Sequence, residues 1–221
     1  VRGASQAYGL SFVPGTWVES IQITKGAGSV INGYESISGQ INYEVLKPVN
    51  DIPFFLNVYG SQDSRYELNT HFNHKYSDKL STTLFLHGNT RQSRNDMNDD
   101  GFLDNPIGKQ VNILNRWQYN DAEKGWVSFL NLRYMNDEKQ AGEVGFNPDM
   151  DKLTTNAWGS EVNTEKIEIS NKTGYVFPEM PYQSFGFQNS FQSHKQESYF
   201  GLNQYNIHQT SFYSNLLFNS I

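Results

Sequence analysis

The chain has no cysteine. That excludes disulfide frameworks, thiolate metal centres and a cysteine nucleophile, and it leaves the compartment open. No apolar run approaches the roughly 18 residues of a membrane-crossing helix. Clusters of Lys and Arg are missing too. With 17 basic and 23 acidic residues the net charge is −6, so nucleic-acid binding has no electrostatic support. Val1 to Leu10 contains neither a basic start nor an apolar stretch, which excludes a signal peptide there. Catalytic motifs are absent as well. There is no G-x-S-x-G and no H-E-x-x-H, and carboxylate pairs such as Asp149 and Asp151 sit in a polar stretch without an apolar pocket. An enzyme is not expected.

What the chain does contain is a contrast. Hydrophobic residues make up only 37% of 221 residues, and mean hydropathy is −0.64, low for a body that must bury a core. Yet aromatics reach 14%, with 13 Tyr and 15 Phe, which argues against disorder. Both facts fit a surface that is apolar on one side and wet on the other. Transmembrane β-barrel strands have that character, because lipid-facing and lumen-facing residues alternate along them.

Two regions differ in texture. Residues 1–50 are rich in Gly and Ser. Within them Trp17 to Lys25 alternates like a half-buried strand, and Ile41, Tyr43 and Val45 alternate again before Lys47-Pro48. From residue 51 onward, segments with alternating aromatic and aliphatic residues are separated by polar turns. Eight strands are expected, at about 54–61, 65–76, 80–90, 109–119, 126–136, 164–177, 182–194 and 206–219. Asn115, Asn171 and Asn189 fall on the nominally apolar side.

The connections alternate in length after the second strand. Ser77 to Lys79, Asn120 to Gly125 and Pro178 to Pro181 are short; 91–108, 137–163 and 195–205 are long. Outer-membrane barrels have short periplasmic turns and longer outside loops, so this parity is what up-and-down strands in that membrane predict. Tyr76, Tyr119, Trp126, Phe177 and Tyr182 flank the short turns like half of an aromatic girdle. Aromatics at strand ends also suit any antiparallel sheet, so a soluble β-sandwich remains an alternative.

Gly15 to Pro48 carries a spaced pattern: Ser20-Ile21-Gln22-Ile23, then Gly26, Ser29, Gly33, Gly39, Ile41-Asn42 and Lys47-Pro48. It resembles the end of the plug domain of TonB-dependent outer-membrane receptors, in the Bacteroidetes-type, siderophore-receptor-like branch. Arg2-Gly3 is similar to an Arg-Gly pair further upstream in such plugs. A dinucleotide-binding loop starting at Gly26 would need a glycine where Ile31 stands, so a phosphate cradle is not supported. Gly26 and Gly28 are expected to take positive φ at a sharp turn, and Gly39 to let a helical turn pass close to the next strand.

The resemblance implies an all-β fold: a partial transmembrane antiparallel β-barrel, about eight of an expected 22 strands, preceded by the C-terminal part of an α+β plug. Residues 1–50 are the plug part and 51–221 the barrel part, and the chain is expected to be a piece of a longer polypeptide. It further implies TonB-dependent import of a scarce nutrient across the bacterial outer membrane, with an iron-siderophore or other metal chelate as the leading cargo. The TonB energy-transduction complex, membrane lipid and lipopolysaccharide are the implied partners, with no required cofactor. The glycan-importing branch usually shows a different plug ending, which Tyr34 to Ile41 does not follow. An autonomous eight-stranded barrel serving as adhesin or structural protein is a further alternative.

The sharpest local motif is Asp96, Asn98, Asp100, Phe102 and Asp104, with Gly101 at the sixth position. It matches the first nine positions of a calcium loop, but Ile107 stands where a bidentate Glu belongs. A weak structural calcium site and an acidic solvated turn both fit. The polar face of the expected strands carries Glu67, His71, His87, Arg116 and Arg133 as lumen-facing candidates. His71 and His74, three apart on a strand, point to opposite faces and do not pair on a metal. Glu19 and Lys25 are candidates for salt bridges from plug to wall.

Overall fold

A computed structural model describes residues 8–28, 36 and 38–220, and over these the chain is all-β with antiparallel pairing. β1 (Val18–Lys25) and β2 (Gly39–Val45) form a two-stranded sheet. The second sheet contains β3 (Phe54–Gly60), β4 (Arg65–Lys75), β5 (Leu80–Arg91), β6 (Ile107–Asp121), β7 (Trp126–Gly142), β8 (Gly159–Phe177), β9 (Met180–Phe200), the short β10 (Asn203–Gln204) and β11 (Ile207–Asn219). β3 through β9 pair each with the next, and β11 returns along β9, giving an up-and-down meander. Among the described residues β3 and β11 pair on one side only, so the sheet is open.

All eight expected strands are present, but three are longer than their apolar alternation indicates. β7 runs on to Gly142, β8 begins at Gly159, and β9 reaches Phe200. The expected long connection 195–205 is therefore mostly strand. Opposite charges explain the extension. Lys109 on β6 stands across from Glu138 on β7, 3.1 Å apart, and Glu165 on β8 stands across from Lys195 on β9. Such cross-strand pairs hold a ladder where no apolar face does.

The two faces of the large sheet have inverted polarity. A row of paired residues, Asn69, His87, Asn112, Met135, Lys166 and His194, crosses six strands on one face, and every member is buried. Three residues along each strand, the row Phe54, Phe72, Leu84, Asn115, Leu132, Ile169, Phe191 and Phe212 crosses eight strands on the other face. Its seven apolar members are exposed. Among the described residues, nineteen polar or charged residues are buried against eight hydrophobic ones, an inversion of the usual preference of apolar residues for the interior. On β7 the apolar band runs from Trp126 to Tyr134. Eight steps of about 3.3 Å, tilted by about 40°, span about 20 Å.

Two of the three asparagines that break the apolar pattern, Asn115 and Asn171, are satisfied within the sheet. Asn115 donates to Thr82 Oγ1 at 3.1 Å and accepts from Trp117 Nε1. Asn171 donates to the Phe129 carbonyl at 3.2 Å and accepts from Thr173. Aromatics gather near the short turns: Tyr76 stacks on Trp117 at 5.7 Å, Trp126 meets Tyr175 at 4.7 Å, and Phe185 meets Phe218 at 4.8 Å.

The β1–β2 hairpin differs from its expected burial. Ile21 and Ile23 are exposed, because a two-stranded sheet offers only its base for packing. At that base Trp17, in a 3-10 turn (Gly15–Trp17), packs with Val45 and Leu46 on Phe85 and Leu114. Gly26 has the expected positive φ of +83°. Gly28 does not; its N–H instead donates to Ser36 Oγ at 3.1 Å, too close for a side chain. Gly39, Ile41 and Asn42 lie in β2, where Gly39 pairs with Lys25; most of the segment before Gly39, where a helical turn is expected, falls outside the described residues. Ser29 and Gly33, like Arg2-Gly3, fall outside the described residues.

Candidate functional site

The N-terminal unit lies against the polar face and is held there by hydrogen bonds to its backbone. Asn112 Nδ2 donates to the Phe12 carbonyl at 2.6 Å, and the Arg133 guanidinium donates to the same oxygen. Arg133 Nε also donates to Asn112 Oδ1 at 3.0 Å, locking both side chains. Gln110 bridges the Ser11 carbonyl (3.2 Å) and Asp137 Oδ1 (2.9 Å). Nearer the short turns, Asn73 donates to the Pro48 and Asp51 carbonyls at 2.7 and 2.9 Å. The Asp51 carboxylate sits 2.8 Å from His71 Nε2, within ion-pair reach though outside hydrogen-bond geometry. Between these contacts Trp17 packs on Phe85, ring centroids 5.5 Å apart.

All five polar-face candidates from the sequence share this face. His71 stacks on Phe55 and faces Asp51. His87 Nδ1 bonds Asn69 Oδ1 at 2.7 Å, and its Nε2 meets Asn89 at 2.9 Å. Glu67 accepts from Arg65 at 2.8 Å and from Asn69 at 2.8 Å. Arg116 lies over the Phe129 ring at 4.8 Å. Of these five, Arg133 reaches the N-terminal unit at the Phe12 carbonyl and His87 meets the Trp17 ring edge-on, centroids 6.5 Å apart, while His71 meets Asp51 at the junction with β3. His74 is exposed and edges onto Tyr76, on the face opposite His71. Glu19 does not bridge to the sheet: it pairs with Lys47 at 3.1 Å inside its own unit, beside Glu44 at 3.5 Å.

Where the strands continue past the apolar band, a cavity of about 400 Å³ opens between Ser11 to Gly15 and the polar faces of β4 to β7. Its lining includes Arg65, Glu67, His87, Arg91, Asp137 and Lys139. Sequence reasoning assigned only Glu67 and His87 of these to a site. Arg91 and Lys139 fall just past the ends of the expected strands, so their face was not readable from the pattern. Asn112 and Gln110 were readable: they share the parity of Arg116 on β6.

The Asp96–Asp104 segment forms a tight turn in the connection after β5. Asp96 accepts from the N–H groups of Asp100 (3.2 Å) and Gly101 (2.8 Å), Asp104 from Met97 (2.8 Å) and Asp100 from Phe102 (2.8 Å). Gly101 adopts φ +85°, and Asn98 donates to Asp100. Phe102 bridges to Glu143 across the loops. Each carboxylate keeps further lone pairs beyond these bonds. Among the described residues no three His, Cys, Asp or Glu side chains are gathered as a metal centre.

No helix among the described residues is long and apolar enough to cross a membrane, which has no bearing on strands. Compared with family models, with curated proteins and with solved structures, the chain matches none.

Proposed function

We propose that this chain acts in the bacterial outer membrane as a TonB-dependent importer of a scarce nutrient, with an iron-siderophore or other metal chelate as cargo. The observation that carries the reading is the inverted polarity of the large sheet combined with a separate N-terminal unit hydrogen-bonded to its wet face. An exposed apolar band about 20 Å tall is close to the roughly 25 Å apolar band of outer-membrane barrels, and lipid and lipopolysaccharide are its natural surroundings. The polar face and the unit against it supply a wall and a stopper. In this reading, pulling by the TonB complex breaks the bonds at Phe12, Ser11, Pro48 and Asp51 and opens a path along the wall.

An autonomous small barrel acting as adhesin or structural protein is less well supported, because such barrels fill their interior with their own wall side chains. Here Phe12 and Trp17 of the N-terminal unit occupy that place. Import of a glycan by the same machinery is the remaining variant. Growth of a deletion strain on defined iron, haem and cobalamin sources tests the function. Loss of growth on one source, reproduced by loss of TonB, is the expected result; unchanged growth on every source contradicts it.

Calcium belongs to the same proposal, as a structural ion ordering the Asp96–Asp104 turn from the outside. Millimolar calcium then slows proteolytic cleavage within residues 92–106, and a chelator restores it. Equal cleavage with and without calcium removes the ion from the account.

A further inference from the structure

The cavity between Ser11 to Gly15 and the strand ends has an uneven charge arrangement. Seven charged residues line it. Six fall into three ion pairs: Arg65 with Glu67 at 2.8 Å, Lys109 with Glu138 at 3.1 Å, and Lys139 with Asp137. Arg91 is the seventh. Among the described residues it has no ion pair, and its buried Nε has no hydrogen-bond partner. It also stands directly across β4–β5 from Arg65. Like charges placed opposite each other destabilise a sheet, and a desolvated guanidinium N–H without an acceptor is costly. Both costs vanish if an anion occupies the cavity. A planar guanidinium offers parallel N–H donors that match the two oxygens of a carboxylate or phosphate. The cavity, at about 400 Å³, falls in the size range of small-molecule sites. Asn89 and Gln110 border it and supply polar groups beside the charge.

We infer that this cavity binds a small molecule bearing a carboxylate or phosphate oxyanion, with Arg91 as the anchor and Arg65 as the second cationic neighbour. The inference deepens the import reading, on which it rests only for the ligand being cargo: the transported molecule presents an anionic group to the wall beside the N-terminal unit. Glu67 and Asp137 keep their own cations neutralised, so the site carries one net positive charge and selects a single anionic group over neutral sugars.

Calorimetric titration of the chain in detergent micelles with citrate, inorganic phosphate and glucose tests this. The expected result is binding of at least one of the two anions and none of glucose. Arg91→Ala weakens that binding by about tenfold or more, the size of one lost charged hydrogen bond, while its far-UV spectrum stays β-rich. Arg91→Lys retains part of the affinity as a point charge, and Lys75→Ala, near a short turn, leaves it unchanged. The inference is overturned if neither anion binds, or if Arg91→Ala binds as tightly as the unaltered chain. The import reading fails separately: a chain that is monodisperse without detergent and still binds an anion through Arg91 keeps the site and loses the membrane. A chain that requires detergent and binds neither anion keeps the membrane and loses the site.

Discussion

Lys79 and Asp121 show how much one pair of side chains does at the edge of the sheet. Lys79 Nζ lies 2.8 Å from Asp121 Oδ2 and ties the turn after β4 to the end of β6. The hydrogen bond from Lys79 holds the Asp121 carboxyl below its ordinary range, helped by the Lys124 N–H and the Tyr119 hydroxyl. The same bond raises Lys79 above the ordinary lysine value. A lowered acid stabilises the fold above the unfolded-state carboxylate value, and that stability is lost as pH falls through the lower folded value. The raised amine acts in the other direction: its share is complete below the unfolded lysine value and is lost as pH rises through the folded one. Asp121→Asn therefore flattens the acid limb of a stability-against-pH curve measured by urea unfolding, and also removes part of the alkaline limb. A variant whose two limbs match those of the unaltered chain contradicts the pairing. The spacing of Lys79 and Asp121 in the sequence gives no hint of this contact, because it depends on which turns become neighbours.

At the scale of a strand, alternation decides what each residue faces, and the sequence made most of this readable. The period of two from residue 54 onward locates every long strand and puts Glu67, His71, His87, Arg116 and Arg133 on one face. It does not locate the strand ends beyond the apolar band, where Glu138 and Lys195 continue the ladder across from Lys109 and Glu165 without a hydrophobic signature. Arg91 and Lys139 were hidden for that reason. Asn115 and Asn171 looked like flaws in the pattern; their partners lie on the neighbouring strand or two residues away on the same face, so single-strand reading could not excuse them. The same alternation sets the cost of a charge. Phe191 faces outward and its neighbour Ser190 faces the wet side. In bilayers Phe191→Lys is expected to cost about 2–4 kcal/mol, and Ser190→Lys much less. Urea titration of the two variants checks the difference, and equal costs would remove the membrane from β9.

For the whole molecule, the proposed membrane setting turns on the two unlike sides of the large sheet. The N-terminal unit touches only the polar face in the contacts described, through Phe12, Ser11, Trp17, Pro48 and Asp51. The opposite face presents Leu132, Ile169, Phe191 and Phe212 without cover among the described residues. Water cannot host a continuous apolar surface of that extent in a stable monomer, whereas hydrocarbon can. The absence of cysteine makes a direct measurement simple, since a single introduced thiol is the only site a spin label can reach. Labels placed one at a time at residues 130 to 135 of β7, in protein reconstituted into lipid bilayers, report collisions with oxygen dissolved in lipid and with a water-soluble nickel complex. Positions 130, 132 and 134 are expected to be open to oxygen and closed to nickel, while 131, 133 and 135 are shielded from oxygen. Loss of that alternation, or nickel access at 130, 132 and 134, would contradict the account.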